Sequence, residues 1–190
     1  MVITTPNNMN LLAQLPYRLM TGHLFTLLLC QSATAQASET PEAVKNMMAL
    51  VGRWEATDVK LTIGDQHYTT PYLINCTAIN DGTGLMMQEG ANIPGLAELK
   101  GMNLVGWDPN LQQMHVYSVD NLGTCHDHIG YWNRANELYV QYQGVIEGKM
   151  YVEQIWIRLE EGGRMHLILL GELNGAAYEH IEGTFHRKAG

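Results

Sequence analysis

Positive charge is scarce in this sequence of 190 residues, in which 11 lysines and arginines stand against 19 aspartates and glutamates. The formal net charge is −8, and the basic residues form no run. Nucleic acids and anionic membrane surfaces attract basic proteins, so the net field of this chain attracts neither. We therefore expect no nucleic-acid partner. The chain also lacks a phosphate-binding loop, a dinucleotide fingerprint and a serine-hydrolase nucleophile elbow.

A long apolar run is missing as well. The run LFTLLLC (24–30) is far shorter than the roughly 20 residues of a membrane-spanning helix. It has the length of the apolar part of a signal peptide, it follows Arg18, and Ala35 and Ala37 fit a cleavage site. We predict a signal peptide over residues 1–37 and an exported protein, periplasmic or extracellular, with no transmembrane span in the mature chain. The alternatives are a disordered tail and an interfacial anchor.

Cysteine is rare too, with three in the whole sequence. Removal of the leader would leave Cys76 and Cys125. An even number of cysteines in an exported protein permits a disulfide bond, so these two are a candidate pair. The sequence alone does not show whether they meet.

What the sequence does contain is a series of apolar runs separated by turn residues. Thr-Pro-Glu at 40–42 predicts a short helix within an N-terminal segment, 38–50. Over 51–190, apolar and β-branched runs of about 7 to 13 residues alternate with turns such as IEGK (146–149) and NG (174–175). This pattern predicts an all-β domain of about ten antiparallel strands in up-and-down order. Closure into a barrel would remove exposed strand edges, and such a barrel holds packed side chains or one small ligand.

Two short motifs at the ends of this domain also indicate a barrel. Gly52-Arg53-Trp54 at the head of the first strand and FHRK (185–188) in the last strand resemble the calycins, the lipocalin and fatty-acid-binding-protein type of barrel. The resemblance implies a calycin-like fold. It also implies that Arg187 packs over Trp54 in a cation–π contact that closes the barrel.

Longer stretches resemble a narrower family. LVGRWEA (50–56), LVGWDPNLQQMHVYSVDNLGT (104–124) and IEGTFHRK (181–188) resemble a bacterial exported family known as domain of unknown function 1579, over about residues 41–190. Tyr117 departs from that pattern, in which a tryptophan is common here. The motifs describe strands and turns, so the resemblance implies a fold and supplies no catalytic residues.

The segment GTCHDHIG (123–130) raises the question of a metal site. If DNLG (120–123) is a four-residue hairpin loop, His115 lies opposite His128, and His126 shares their face. Imidazole suits zinc, copper or nickel. These three histidines are therefore candidate metal ligands with zinc as the candidate ion, and no other cofactor is implied.

The same register sorts the side chains of these strands into two faces. The histidine face collects polar neighbours, so we predict that it points outward. The opposite face is the predicted interior and carries Met114, Val116, Cys125, Ile129, Tyr131, Leu138, Val140 and Tyr142. The outward face would also carry Trp107, Trp132, Tyr139 and Trp156. Such an aromatic surface indicates a homodimer interface or, alternatively, that the two faces are inverted.

Extending this register round the barrel predicts a polar band in the interior. Tyr142 would oppose Glu153, and Glu179 would follow across Leu170, with Asp127 at similar depth. Buried carboxylates are costly unless they are paired, so such a band would have a functional reason to exist. Asp127, Tyr142, Glu153 and Glu179 are therefore candidate ligand-binding residues for a polar or cationic head. A β-bulge in one hairpin would place them outside instead, because a one-residue slip exchanges the faces.

Three functions stay open. The first, which we favour, is a carrier that binds a small hydrophobic or amphipathic molecule in the barrel interior. The second is a small barrel enzyme, a lyase, isomerase or hydrolase, that uses the interior carboxylates or a histidine-bound metal. The third is an interaction module of the cell envelope that uses the aromatic outer face.

Overall fold

The computed structural model describes residues 39–95 and 98–188. The predicted signal peptide, residues 1–37, lies outside this part of the chain. The described residues form one α-helix and ten strands, with the bounds α1 (Glu42–Met48), β1 (Gly52–Ile63), β2 (Gln66–Ile79), β3 (Gly84–Asn92), β4 (Glu98–Asp108), β5 (Gln113–Asp120), β6 (Cys125–Arg134), β7 (Glu137–Ile146), β8 (Lys149–Glu160), β9 (Arg164–Leu173) and β10 (Ala176–Lys188). Among these residues, no helix is long and apolar enough to cross a membrane.

The ten strands form one closed antiparallel barrel. Each strand pairs with the next along the chain, and β1 closes the ring by pairing with β10. Closure gives each of these strands two neighbours and so satisfies both of its edges. The predicted all-β, up-and-down barrel is confirmed, and its architecture is consistent with a calycin-like barrel.

The helix α1 covers one end of the barrel. Met47 and Leu50 are fully buried there. Trp54 is 1% exposed, and its indole Nε1 donates a hydrogen bond to the carbonyl of Leu50 at 2.8 Å. Arg187 lies over this indole, with Cζ 4.4 Å from the ring centroid, and donates a hydrogen bond to the carbonyl of Ala49 at 2.6 Å. The predicted contact between Trp54 and Arg187 is therefore present, and it joins β10 to the segment after α1.

Two hairpins have the tight turns that their sequences predict. Glu147 and Gly148 connect β7 to β8 with φ angles of 50° and 76°, and Asn174 and Gly175 connect β9 to β10 with 51° and 77°. Positive φ at both central residues is typical of type I′ turns, whose twist matches that of the paired strands. The register between β7 and β8 is the predicted one.

The loop between β5 and β6 is longer than predicted. Asp120 Oδ1 accepts hydrogen bonds from the backbone N–H groups of Leu122 and Thr124, at 2.8 and 2.9 Å, and these bonds stabilise the longer loop. Val119 therefore pairs with Cys125 rather than with Thr124. Since successive side chains of a strand point to opposite faces, this shift turns β6 over relative to the prediction.

The inversion of β6 corrects several predicted positions. His126 and His128 point into the barrel instead of outward, and both line its cavity. Ile129 and Tyr131, which were predicted to be interior, are 38% and 53% exposed, and Cys125 is exposed as well. The interior positions predicted on the neighbouring strands are confirmed for Met114, Val116, Leu138, Val140 and Tyr142.

The predicted aromatic outer face is wrong for two of its four members. Trp107 and Trp132 are partly buried and pack against the hydrophobic core. Tyr139 and Trp156 contact each other with ring centroids 5.2 Å apart, and Tyr131 lies 5.6 Å from Tyr139. The outer aromatic cluster is thus smaller than predicted and includes Tyr131, because β6 is turned over.

The candidate disulfide pair is not joined, because Cys76 and Cys125 are both free thiols. Cys76 is buried on β2, whereas Cys125 is exposed on β6, and these strands are not neighbours in the barrel. The barrel wall therefore separates the two sulfur atoms. Burial raises the pKa of the Cys76 thiol to about 12, which keeps it protonated at neutral pH.

Candidate functional site

A cavity of about 600 Å³ occupies the barrel interior. Its volume falls within the range of roughly 300–1,000 Å³ that is typical of small-molecule sites. Aliphatic side chains from several strands form much of its wall, among them Leu61, Ile74, Val140, Ile155, Leu167, Leu169 and Ile181. The cavity reaches the loop between β5 and β6, which the up-and-down strand order places at the end of the barrel opposite α1.

One row of this wall is polar. Tyr142 pairs with Glu153, Glu153 with Gly171, and Gly171 with Glu179, across the strands β7 to β10. Tyr142, Glu153 and Glu179 all line the cavity, as the sequence predicts. The fourth predicted member of the band, Asp127, lies on the outside, because β6 is inverted.

The predicted metal set of His115, His126 and His128 does not come together. His115 pairs with Ile129, on the outer side of the wall, and its Nδ1 lies 3.2 Å from Asp127 Oδ1. His126 and His128 lie inside. The barrel wall thus separates His115 from the other two imidazoles.

The two interior histidines instead meet a glutamate, and we call His126, His128 and Glu153 the histidine–glutamate cluster. His126 Nδ1 is 3.0 Å from Glu153 Oε2, and His128 Nε2 is 3.3 Å from Glu153 Oε1. One nitrogen of each histidine and one carboxylate oxygen all lie within 4.8 Å of one another. His128 and Glu153 are only 1% and 6% exposed. The cluster therefore concentrates three metal-ligating groups at one buried point.

Different contacts orient the two imidazoles. The ring of His126 stacks on that of Tyr142, with centroids 3.8 Å apart and planes inclined by 11°. His128 Nδ1 lies 3.2 Å from the backbone carbonyl oxygen of Val116. A carbonyl oxygen only accepts hydrogen bonds, so this bond places the hydrogen of a neutral His128 ring on Nδ1. The other nitrogen, Nε2, has no hydrogen-bond partner among the described residues, although Glu153 Oε1 is near.

Tyr151 connects the two interior acids of the polar row. Its hydroxyl donates a hydrogen bond to Glu179 Oε2 at 2.8 Å and lies 3.3 Å from Glu153 Oε2. Gly171 provides the space for this contact: a Cβ atom there would lie 2.7 Å from the Tyr151 hydroxyl oxygen and 2.9 Å from Glu179 Cβ. A glycine between the two acids is therefore part of the site.

The two acids differ in their preferred charge. Burial alone would raise the pKa of Glu153, but its contacts with the imidazoles of His126 and His128 outweigh burial and lower this pKa to about 2. Burial raises the pKa of Glu179, and the hydrogen bond from Tyr151 offsets that rise only in part. Glu153 is therefore ionised at neutral pH, whereas Glu179 keeps its proton to a higher pH than an exposed glutamate does.

A second polar group lies elsewhere on the cavity wall. The Tyr72 hydroxyl donates a hydrogen bond to Glu89 Oε2 at 2.7 Å, and Asn103 Nδ2 donates one to Glu89 Oε1 at 3.1 Å. Burial raises the pKa of Glu89. These residues and Tyr151 were not predicted. The available signal was strand alternation, since Glu89 lies two positions after the buried Met87 and so shares its face.

Comparison with known protein families gives no match for this chain, and comparison with curated proteins gives none either. The cavity has two features that bear on function: the aliphatic wall and the polar row with its histidine–glutamate cluster.

Proposed function

We propose that the protein binds one small, mainly apolar molecule with a polar head inside its barrel. The observation that carries this proposal is the cavity of about 600 Å³, which combines an aliphatic wall with one polar row. Burial of apolar ligand surface contributes about 25 cal/mol per Å², and a few placed polar groups set the orientation of the ligand.

The polar row favours a head that is positively charged or that donates hydrogen bonds. Glu153 is ionised inside the barrel, and a buried carboxylate is stabilised by a positive or hydrogen-bonding partner. Tyr142 and Glu179 offer further hydrogen-bonding atoms in the same row. The apolar body of the ligand would pack against residues such as Ile155 and Ile181.

The ligand would enter at the end of the barrel opposite α1. Leu122 in the loop between β5 and β6 lines the cavity and is 51% exposed. Val119 and Val145 also line it, and they are 44% and 70% exposed. Exposed apolar side chains at a cavity mouth favour the first contact with an apolar molecule.

Filling the cavity tests the proposal. Leu169 lines the cavity, whereas its neighbour Leu170 is 39% exposed. Leu169→Trp should weaken the binding of the neutral dye Nile red, measured by fluorescence titration, and the matched control Leu170→Trp should not. Equal binding by both folded variants would contradict an interior site. Native and denatured masses of the purified protein would also reveal any ligand that stays bound.

One observation favours an enzyme as a second candidate function. Glu153 and Glu179 share a contact with Tyr151, yet their pKa values are shifted in opposite directions. Two carboxyl groups whose pKa values are shifted apart can act as general base and general acid, as in a lyase, isomerase or hydrolase. Any conversion of a bound ligand should then be lost in both Glu153→Gln and Glu179→Gln. Unchanged conversion in the two variants would exclude these acids from the chemistry.

We further propose that the protein is exported and that it belongs to the family domain of unknown function 1579. The support is the apolar run at 24–30, the small residues Ala35 and Ala37, and the motifs over 41–190. Expression of the full chain in a bacterium tests export. The mass of the periplasmic product should correspond to a chain that begins at Ser38, and an uncleaved cytoplasmic product would contradict the proposal.

A further inference from the structure

We propose that His126, His128 and Glu153 bind one divalent transition-metal ion of the zinc type. Zinc holds nitrogen and oxygen ligands at about 2.0–2.1 Å in a tetrahedral arrangement, which separates the ligand atoms from one another by about 3.3 Å. His126 Nδ1 lies 3.0 Å from Glu153 Oε2, and His128 Nε2 lies 3.3 Å from the other oxygen, Oε1. One nitrogen of each histidine and one carboxylate oxygen lie within 4.8 Å of one another. Each imidazole nitrogen is thus at about the ligand-to-ligand spacing from one oxygen of the same carboxylate.

The second observation is the unpartnered nitrogen of His128. This residue is 1% exposed, and its Nε2 has no hydrogen-bond partner among the described residues. Its Nδ1 is hydrogen-bonded to the Val116 carbonyl and lies 3.4 Å from Ser118 Oγ. A neutral ring with its hydrogen on Nδ1 turns the Nε2 lone pair towards Glu153 Oε1, which is also an electron-pair donor. A metal ion between these two atoms would satisfy both.

The contacts around the cluster are those that commonly orient metal ligands. A metal-bound histidine usually donates its second N–H to a carbonyl or a carboxylate, as His128 does to Val116. The ring of His126 is held by stacking on Tyr142, with the ring centroids 3.8 Å apart. Two imidazoles with one carboxylate favour zinc, copper, nickel or iron(II) over magnesium and calcium, which prefer oxygen ligands alone.

Three protein ligands leave one coordination position of a tetrahedral ion vacant. All three residues of the cluster line the cavity, so that position would open towards it. With the metal bound, the ion and not the ligand head would be the positive partner of Glu153. The head of the organic ligand would then be an electron-pair donor, such as a carboxylate, hydroxyl or carbonyl group, in place of the positively charged or hydrogen-bond-donating head that suits the metal-free site. This last step rests on the proposed function, whereas metal binding itself does not.

The test uses the metal alone. The mature protein is stripped with a chelator, dialysed, and titrated with zinc by calorimetry and with cobalt(II) by visible absorption. We expect one equivalent to bind and the cobalt complex to show the intense bands of a four-coordinate ion. Glu153→Gln and His126→Gln should each weaken zinc binding at least about 100-fold, since even residues that only orient metal ligands contribute about 10- to 100-fold. The matched control is His115→Gln, which removes a histidine outside the barrel and should bind zinc as the unmodified protein does.

Circular dichroism and thermal unfolding establish that each variant is folded before it is titrated. The absence of stoichiometric binding to the folded, unmodified protein would overturn the proposal. A loss in His115→Gln as large as that in His126→Gln would overturn it too, because the ion would then bind outside. Nile red binding to the metal-free protein tests the interior ligand site separately. Retained dye binding without metal binding would reject this inference and leave the proposed function standing.

Discussion

Three glutamates line the cavity, and each has a different set of neighbours. Glu153 contacts two histidines, Glu179 accepts a hydrogen bond from Tyr151, and Glu89 accepts one from Tyr72. Burial disfavours the charged form in all three cases, and only at Glu153 do the neighbours reverse that effect on the pKa. The surroundings of each side chain, rather than its chemical type, thus decide which interior acid is charged.

Glu89 gives rise to a prediction about pH and stability. Burial raises the pKa of Glu89 in the folded protein above its pKa in the unfolded chain. The free energy of unfolding therefore decreases as the pH rises from the pKa of the unfolded chain towards that of the folded protein. Glu89→Gln cannot ionise. Its amide oxygen can accept the hydrogen bond from Asn103 Nδ2, and its NH2 group can donate one to the Tyr72 hydroxyl oxygen. We expect the variant to have a higher free energy of unfolding than the unmodified protein at pH 8, and we expect this difference to be smaller at pH 4. Urea unfolding at several pH values measures this.

The control for that experiment is Glu172→Gln, because Glu172 is on β9 and its side chain is exposed to solvent. A pH-dependent gain of the same size in this control would show that burial of Glu89 is not the cause.

Gly171 allows a second prediction at the scale of one residue. The Cβ of Gly171→Ala would lie 2.7 Å from the Tyr151 hydroxyl oxygen and 2.9 Å from Glu179 Cβ, so one of them must move. We expect a loss of about 1–3 kcal/mol in the free energy of unfolding, which is typical of overpacking. Gly106→Ala is the matched control, since a Cβ there has no atom within 4 Å among the described residues. Equal losses in both variants would contradict the explanation.

At the scale of elements, the loop between β5 and β6 decides which residues of β6 face the cavity. The side chain of Asp120 accepts two backbone hydrogen bonds within that loop. The extra residue places His126 and His128 inside and Asp127 outside. The hairpin of β7 and β8 has a two-residue turn and keeps its predicted register, because the geometry of such a turn admits little variation.

The conformation of this loop therefore depends on the acceptor oxygen of the Asp120 side chain. Asp120→Ala should lower the free energy of unfolding by about 1–2 kcal/mol, because the N–H groups of Leu122 and Thr124 lose their acceptor. Hydrogen exchange at these two amides should accelerate in Asp120→Ala. Asp120→Asn retains the Oδ1 acceptor and should restore most of the protection. If Asp120→Asn were as unprotected as Asp120→Ala, the charge and not the acceptor would be the cause.

The whole molecule has one covered end and one accessible end. At the covered end, the hydrogen bond of Arg187 to Ala49 and its contact with Trp54 connect the last strand to the segment between α1 and β1. The cavity reaches the loops of the other end, where exposed apolar residues lie, and neither Trp54 nor Arg187 is among the residues that line it. A molecule in the cavity would therefore leave the contacts of the covered end undisturbed.

Closure of the barrel should depend on the guanidinium of Arg187. We expect Arg187→Met, which keeps the aliphatic stem, to lose about 1–3 kcal/mol in the free energy of unfolding, measured with urea. The control Arg53→Met removes a surface ion pair with Glu55 and should lose less than about 1 kcal/mol. A loss in Arg187→Met no larger than in the control would assign the closure to apolar packing alone.

The strands, their number and their up-and-down order can be predicted from local patterns in the sequence. A strand shows apolar and polar residues in alternation, and a hairpin shows characteristic turn residues. Both signals lie within a few positions of the chain, so they can be recognised without knowledge of its distant parts. The short turn at Glu147 and Gly148 likewise made the pairing of Tyr142 with Glu153 predictable. The contact between Trp54 and Arg187 was implied by the resemblance of the two end motifs to the calycins, and the structure contains it.

Tertiary structure alone decided which side chains meet inside. Glu153 and Glu179 face each other across Gly171 rather than Leu170, because an offset between β8 and β9 is cancelled by an irregularity in β10. For β6, the offset in the loop before the strand is cancelled only after it, in the pairing with β7, so β6 alone exchanged its two faces. The contact between His126 and Glu153 spans 27 positions of the chain, and it depends on every hairpin between them.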